Sequence, residues 1–176
     1  MAELIGHQNI VKNEIVNQIM GHPLLVKLLF YKDTNVDIFT QPDLTFKQIR
    51  QVKRENIYES MKIPLNNQDV ERPYLTMQYG NKNYHSRENS YFNGNDFNIY
   101  VFCNTALDDT LNGSRISALE HCVCEIFDKG NVASIGSSEL GTSTPIAING
   151  TSIIGRKIPI IFLAKNAHMI NKAVGR

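Results

Sequence analysis

Apolar positions near the start of the chain recur at helical spacing. From about Gln8 to Met20 one side of the segment is apolar and the other polar, which predicts an amphipathic helix that ends at Gly21. Pro23 can open a second short helix with a leucine-rich buried face. We therefore expect a helical pair at the N-terminal end.

A short basic segment follows a polar connection. Thr45 and Gln48 have the spacing of a capping box, which predicts a helix from Phe46 to about Arg54. This segment can be a solvated face or a docking surface for an acidic partner or a phosphate backbone. Its cations are Lys47, Arg50, Lys53 and Arg54.

The middle of the chain changes to the period of two that is typical of strands. Strands are predicted at 58–63, 73–79 and 96–104. The segment 80–95 is rich in Asn, Ser and Gly and predicts a long exposed loop or a projecting hairpin. The strand at 96–104 places one apolar set on a single face: Phe97, Ile99, Val101 and Cys103.

A helix and a second set of strands follow. After a polar turn, Ser114 can cap a helix from Arg115 to Asp128, and Gly130 can end it. Asn149-Gly150 is a strong hairpin signal, while Pro159 in the apolar strand 157–164 predicts a sheet edge or a bulge. The remaining expectations are a short strand at 132–135, a flexible small-residue loop at 136–144 and a loose tail.

These elements predict an α+β fold in one domain, with a mixed or antiparallel sheet packed by one long helix at about 115–128. Residues 1–56 would form the helical part with its elaboration, 57–164 the sheet-plus-helix core, and 165–176 the tail. Apolar residues make up 42% and charged residues 20% of the chain, both ordinary for a globular domain. The net charge of +1 does not point to nucleic acid or to an anionic membrane.

The chain carries no signal-like N-terminal segment and no apolar run near the ~20 residues that span a bilayer, so we expect a soluble protein. Cysteines occur only at 103, 122 and 124, which favours free thiols in a reducing compartment.

Candidate chemistry is sparse. His121, Cys122 and Cys124 share one helical turn, but Cys122 lies about 100° from His121 and no second cluster completes a tetrahedral site. Asp108 and Asp109 suit a turn, and the segment SIGSSELGTS is neither a nucleophile elbow nor a phosphate loop. We expect no catalytic, metal-binding or cofactor-binding residues, no cofactor, and no enzymatic activity.

The order of elements resembles the tail-terminator and tail-completion proteins of tailed bacteriophages. In that family a helical start precedes an exposed proline and a strand, here ERPYLTMQYG. A strand such as FNIYVFC then leads through a polar turn into a helix such as SRISALEHCVCEIFDKG, and IPIIFLA would complete the sheet. The resemblance covers nearly the whole chain, although 32–56 has no counterpart.

The resemblance implies a structural virion protein of the tail or neck, made in the host cytoplasm. It implies a homohexameric ring that caps the tail tube and joins the tail to the head connector, with the tail tube protein and connector or stopper proteins as partners. DNA would pass through the lumen without specific binding, and no membrane would be involved. The candidate assembly residues are Arg50, Lys53, Arg54, Tyr84, Arg87, Tyr91 and Glu139.

Two alternatives remain at this stage. One is a head-completion or stopper protein at an adjacent neck position. The other is a monomeric cytosolic enzyme or small-ligand binder of an unfamiliar kind, which a deep pocket lined by several titratable groups would favour.

Overall fold

A computed structural model of the chain describes residues 12–61, 72–85, 92–128, 131–132 and 136–165. The fold is α+β, as the sequence predicts, with helices packed on one face of a mainly antiparallel sheet. Within these ranges, no helix combines the length and the apolar character needed to cross a membrane.

The helices match the local sequence signals. Each of three helices is capped by the side chain that precedes it, namely His22, Thr45 and Ser114. The capping box at Thr45 and the Ser114 cap confirm the predictions. The helices are α1 (12–20 in the described range), α2 (Pro23–Phe30), α3 (Phe46–Glu55), α4 (Thr105–Asp108) and α5 (Arg115–Phe127), with a 3-10 turn at Ile38–Thr40.

Seven strands form the main sheet, in the order β1-β2-β3-β9-β7-β6, and β8 pairs with β9 beside β7. A separate two-stranded hairpin, β4 with β5, lies between α4 and α5. The strands are β1 (Ile57–Tyr58), β2 (Tyr74–His85), β3 (Phe92–Asn104), β4 (Asp109–Thr110), β5 (Gly113–Ser114), β6 (Asn131–Val132), β7 (Gly136–Leu140), β8 (Thr144–Ala147) and β9 (Ile153–Lys165).

The sheet is apolar on both faces near its centre. The face under α1, α2 and α5 holds the alternating set predicted for β3, which is fully buried, and this confirms the prediction. On the other face, Phe102 and Tyr100 are also buried, beside Tyr74 and Ile153. Gly155 lies under Phe102, where an added Cβ would be 2.7 Å from the ring atom Cδ1.

Of the two alternatives predicted for 80–95, a loop or a hairpin, the described residues form paired strands of a hairpin. β2 continues to His85, β3 begins at Phe92, and their register shifts between Tyr79 and Asn83. Residues 86–91 lie outside the described residues. The exposed-loop alternative is therefore wrong for most of this segment, because backbone pairing with β3 extends a strand whose composition alone favours a loop.

The loop predicted at 136–144 is wrong over its first half. Gly136–Leu140 forms β7, which pairs with β9 from Ile160 to Leu163. Ser138 is fully buried, and its Oγ donates a hydrogen bond to the carbonyl of Phe127 at 2.8 Å. The segment lacks the apolar alternation from which a strand is predicted. It forms a strand because its backbone pairs with β9 and its small side chains allow close packing.

Pro159 lies inside β9, between two neighbouring strands, so the predicted sheet edge is wrong. Its carbonyl accepts a hydrogen bond from the Gly141 N–H at 2.8 Å, and in an antiparallel strand a residue's nitrogen points to the same side as its carbonyl. The missing N–H of Pro159 therefore faces the break between β7 and β8. The predicted bulge is also wrong, because the register of β9 with β3 continues through Pro159 without a shift.

β8 contains a proline whose nitrogen faces away from the sheet. The carbonyl of Ile153 in β9 points toward β8, where it accepts from the Ile148 N–H at 3.4 Å. Because successive residues alternate in direction, Arg156 points toward β3. Pro145 is the partner of Arg156, so its nitrogen points away from β9.

Two further segments differ from the predictions, and one turn agrees with them. The strand predicted at 58–63 is only Ile57–Tyr58 in the described residues, which end at Met61 before the gap. The polar turn after β3 contains α4 and the β4–β5 hairpin. The predicted Asn149-Gly150 turn is confirmed, with Gly150 at a φ of 76°. Residues 133–135, Gly130 and the tail beyond Lys165 lie outside the described residues.

Candidate functional site on helix α3

Helix α3 is fixed at its start and along its inner side. The Thr45 N–H donates to Gln48 Oε1 at 2.8 Å, and the Gln48 N–H donates to Thr45 Oγ1 at 3.4 Å. Val52 is fully buried and Ile49 partly buried against the core. The opposite side of the helix must therefore face outward, and its chemistry is held in place by the cap and the core contact.

That outward side carries four cations around an exposed aromatic ring. At about 100° per residue, they fall within an arc of about 120° centred near Phe46 and Arg50. The Phe46 side chain is 69% exposed, and the Arg50 guanidinium carbon lies 4.3 Å from the ring centroid, which is a cation–π contact. We call this surface the basic face: Lys47, Arg50, Lys53 and Arg54, with Phe46.

The cations of the basic face form no ion pair within the described part of the chain. None of its four cations lies within 4.0 Å of a carboxylate there. Glu55 borders the groove on this face, but Gln51 Nε2 donates to it at 3.1 Å and Arg72 forms an ion pair with it. The hydrogen bond from Gln51 and the positive charges of Arg72 and Arg54 lower the pKa of Glu55.

The other predicted assembly residues are not part of this face. Glu139 is exposed on β7, and three strands separate β7 from β1, the strand next to α3. Tyr84 lies on β2 opposite Gly94, and its side chain is outside the described residues, as are Arg87 and Tyr91. The structure thus brings together Arg50, Lys53 and Arg54 from the predicted set, and adds Phe46 and Lys47.

A cluster near the α1–α2 junction has metal-ligand residue types. The ligand atoms of His22, Cys122 and Glu125 lie within 4.8 Å of one another, so Cys122 has neighbours other than those considered from sequence. His22 Nδ1 accepts the Leu25 N–H at 3.2 Å, which places the proton of a neutral ring on Nε2, facing Glu125 at 3.5 Å. Burial raises the pKa of Cys122 to about 12. His22 and Glu125 therefore form a polar contact beside the buried Cys122 thiol, which joins the start of α2 to α5.

Asp108 and Arg115 also have structural contacts. Asp108 Oδ1 accepts the Ile116 N–H at 2.8 Å and the Ser114 hydroxyl at 3.1 Å, so it caps α5. Arg115 is fully buried and donates to the carbonyls of Leu28, Tyr31, Asp33 and Leu107. Sequence analysis missed Arg115, although its spacing to Leu119 and Cys122 places it on the buried side of α5.

The fold and its surfaces define an α+β protein with an exposed basic face on helix α3. A family model matches residues 23–161, from α2 through most of β9, and the chain belongs to the YomW family. This is a phage-associated family. A comparison with curated proteins gives no match.

Proposed function

We propose that this protein is a structural subunit of the phage neck, a ring-forming tail terminator that caps the tail tube and joins it to the head connector. The basic face of α3 is the observation that carries the proposal. It places four cations that form no ion pair in the described residues around an exposed aromatic ring. Arg and aromatic residues are the types enriched where protein interfaces are strongest.

The remaining polar groups support an architectural role over catalysis. The buried or clustered charges described above act in caps, in carbonyl contacts and in the His22–Glu125 contact. The groove on α3 is open and lined mainly by long charged or polar side chains, which suits a protein surface better than a small-molecule pocket. The phage association of the family agrees with a role in virion assembly.

The direct test is to locate and size the protein. We expect it in purified phage particles by mass spectrometry, and we expect rings by negative-stain electron microscopy and light scattering of the purified chain. A protein that is absent from particles and strictly monomeric in solution would contradict the proposal.

Deleting the gene distinguishes the two neck positions. Without a terminator, nothing caps the growing tail tube, so tails of abnormal length are expected. Loss of a head-completion or stopper protein instead leaves tails of normal length that fail to join filled heads, and that result would move the protein to the adjacent position.

A further inference from the structure

We infer that the basic face of α3 binds a second copy of this chain at a separate acidic surface, so that subunits join head to tail. This inference rests on the ring proposed above and names the two surfaces that would form its repeating contact. The acidic surface is built where the loop after α2 meets the β4–β5 hairpin.

Hydrogen bonds join these two segments. The Leu111 N–H donates to the Thr34 carbonyl at 3.2 Å, and the Ile38 N–H donates to Asn112 Oδ1 at 2.9 Å. Asn112 Nδ2 donates in turn to Asp37 Oδ1 at 2.9 Å. Residues far apart in sequence thereby form one fixed surface.

This surface has exposed apolar side chains and a negative rim. Leu111 is 68% exposed and Phe39 is 54% exposed. Phe39 follows Ile38 and Leu111 precedes Asn112, and Ile38 and Asn112 are hydrogen-bonded to each other. We call the surface the acidic end: Asp33, Asp37, Asp108 and Asp109, with Phe39 and Leu111. It holds four carboxylates; the exposed Lys32 precedes Asp33 in the chain, and the buried Arg115 interacts with Asp33 and Asp108.

The two surfaces are complementary in charge and similar in construction. Each places a large exposed apolar side chain among charges of one sign, positive around Phe46 and negative around Leu111. Because the surfaces differ, a contact between them is heterologous, and repetition of such a contact closes into a ring when the rotation permits. Opposite charges at the rim would also orient the incoming subunit.

Charge reversal on each surface tests the contact. One variant carries Arg50→Glu with Arg54→Glu, and the other carries Asp109→Arg with Leu111→Lys. Each places like charges opposite one another, so we expect association, measured by light scattering, to weaken about tenfold or more. A chain that carries both reversals has complementary surfaces again, and its association should be restored.

Lys32→Glu is the matched control. It also changes a charge at the acidic end, but it makes that surface more negative and so more complementary to the basic face. Association should be unchanged or stronger. Thermal unfolding of every variant identifies those that fail to fold. A photo-crosslinker at position 46 of the otherwise unchanged chain gives an independent readout, and it should label residues 33–39 or 108–112 of an isotopically distinct copy.

The outcomes separate this inference from the proposed function. Rings that form normally with either reversal, or crosslinks that map elsewhere, overturn the contact and leave the ring intact. Duplex DNA that binds the unchanged chain but not the Arg50→Glu, Arg54→Glu variant, with normal rings in both, also overturns it. A chain that is monomeric in solution and absent from particles instead rejects the proposed function.

Discussion

Arg115 Nη1 donates a hydrogen bond to the Leu28 carbonyl at 3.1 Å and so ties the start of α5 to the end of α2. The last carbonyls of a helix lack partners within the helix and carry partial negative charge. A buried guanidinium, with its five N–H donors, satisfies several of them at once. Burial lowers the pKa of Arg115, and the nearby charges of Asp108 and Asp33 oppose that shift.

Replacing Arg115 with Met should lower the free energy of unfolding by about 3–5 kcal/mol, because it leaves buried carbonyls without donors. Urea denaturation at constant m-value measures this change. The control is Arg156→Met, which removes a partly exposed pair with Glu120 at 3.3 Å and should cost less than about 1 kcal/mol. Equal losses in the two variants would contradict a carbonyl-binding role for Arg115.

Thr45→Ala should destabilise the protein by about 1 kcal/mol, because it removes the side chain that accepts the Gln48 N–H. Thr45→Ser keeps the hydroxyl and should remain close to the unchanged protein. Both values come from urea denaturation. If the basic face forms the ring contact, Thr45→Ala should also weaken ring association. A loss of stability with unchanged association would show that the cap does not contribute to assembly.

Gly155→Ala should cost about 1–3 kcal/mol, because its Cβ would lie 2.6 Å from the Val101 carbonyl oxygen and would press on the Phe102 ring. Gly21→Ala is the comparison, since its Cβ would be 3.4 Å from the nearest atom, an ordinary contact. Thermal unfolding of the two variants should therefore differ in the midpoint temperature. A Gly155→Ala midpoint as high as that of Gly21→Ala would show that the strands adapt.

The buried thiols make stability depend on alkaline pH. Burial raises the pKa of both Cys103 and Cys122 to about 12 from a usual value near 9. The folded state therefore holds these protons where the unfolded state releases them. Their stabilisation is full below pH 9 and is lost as the pH rises toward 12. Denaturation between pH 8 and 11 should show this decline, and it should be shallower for Cys103→Ala with Cys122→Ala.

Sequence identified elements whose signals are local. The Thr45–Gln48 pair, Ser114 and Asn149-Gly150 each mark a boundary through contacts within a few residues, and the structure has all three. The alternation from Phe97 to Cys103 also predicted the face that packs under the helices, although Tyr100 and Phe102 on the other face are buried as well.

Elements defined by distant contacts were harder to predict. Gly136–Leu140 lacks apolar alternation and becomes a strand through its bonds to β9. Arg115 reads as an exposed cation until the carbonyls of α2 are in place around it. On the basic face, the four cations were visible in the sequence, but the inner contact of Val52 determines that they all face outward.

Pro145 has a consequence for how copies of this protein can meet. Its nitrogen carries no hydrogen and points outward from β8, which has β9 as its strand partner in the described residues. A strand of a neighbouring chain that paired with β8 would therefore lack one backbone N–H donor at Pro145. Growth into an open-ended fibre by strand addition is disfavoured at this edge.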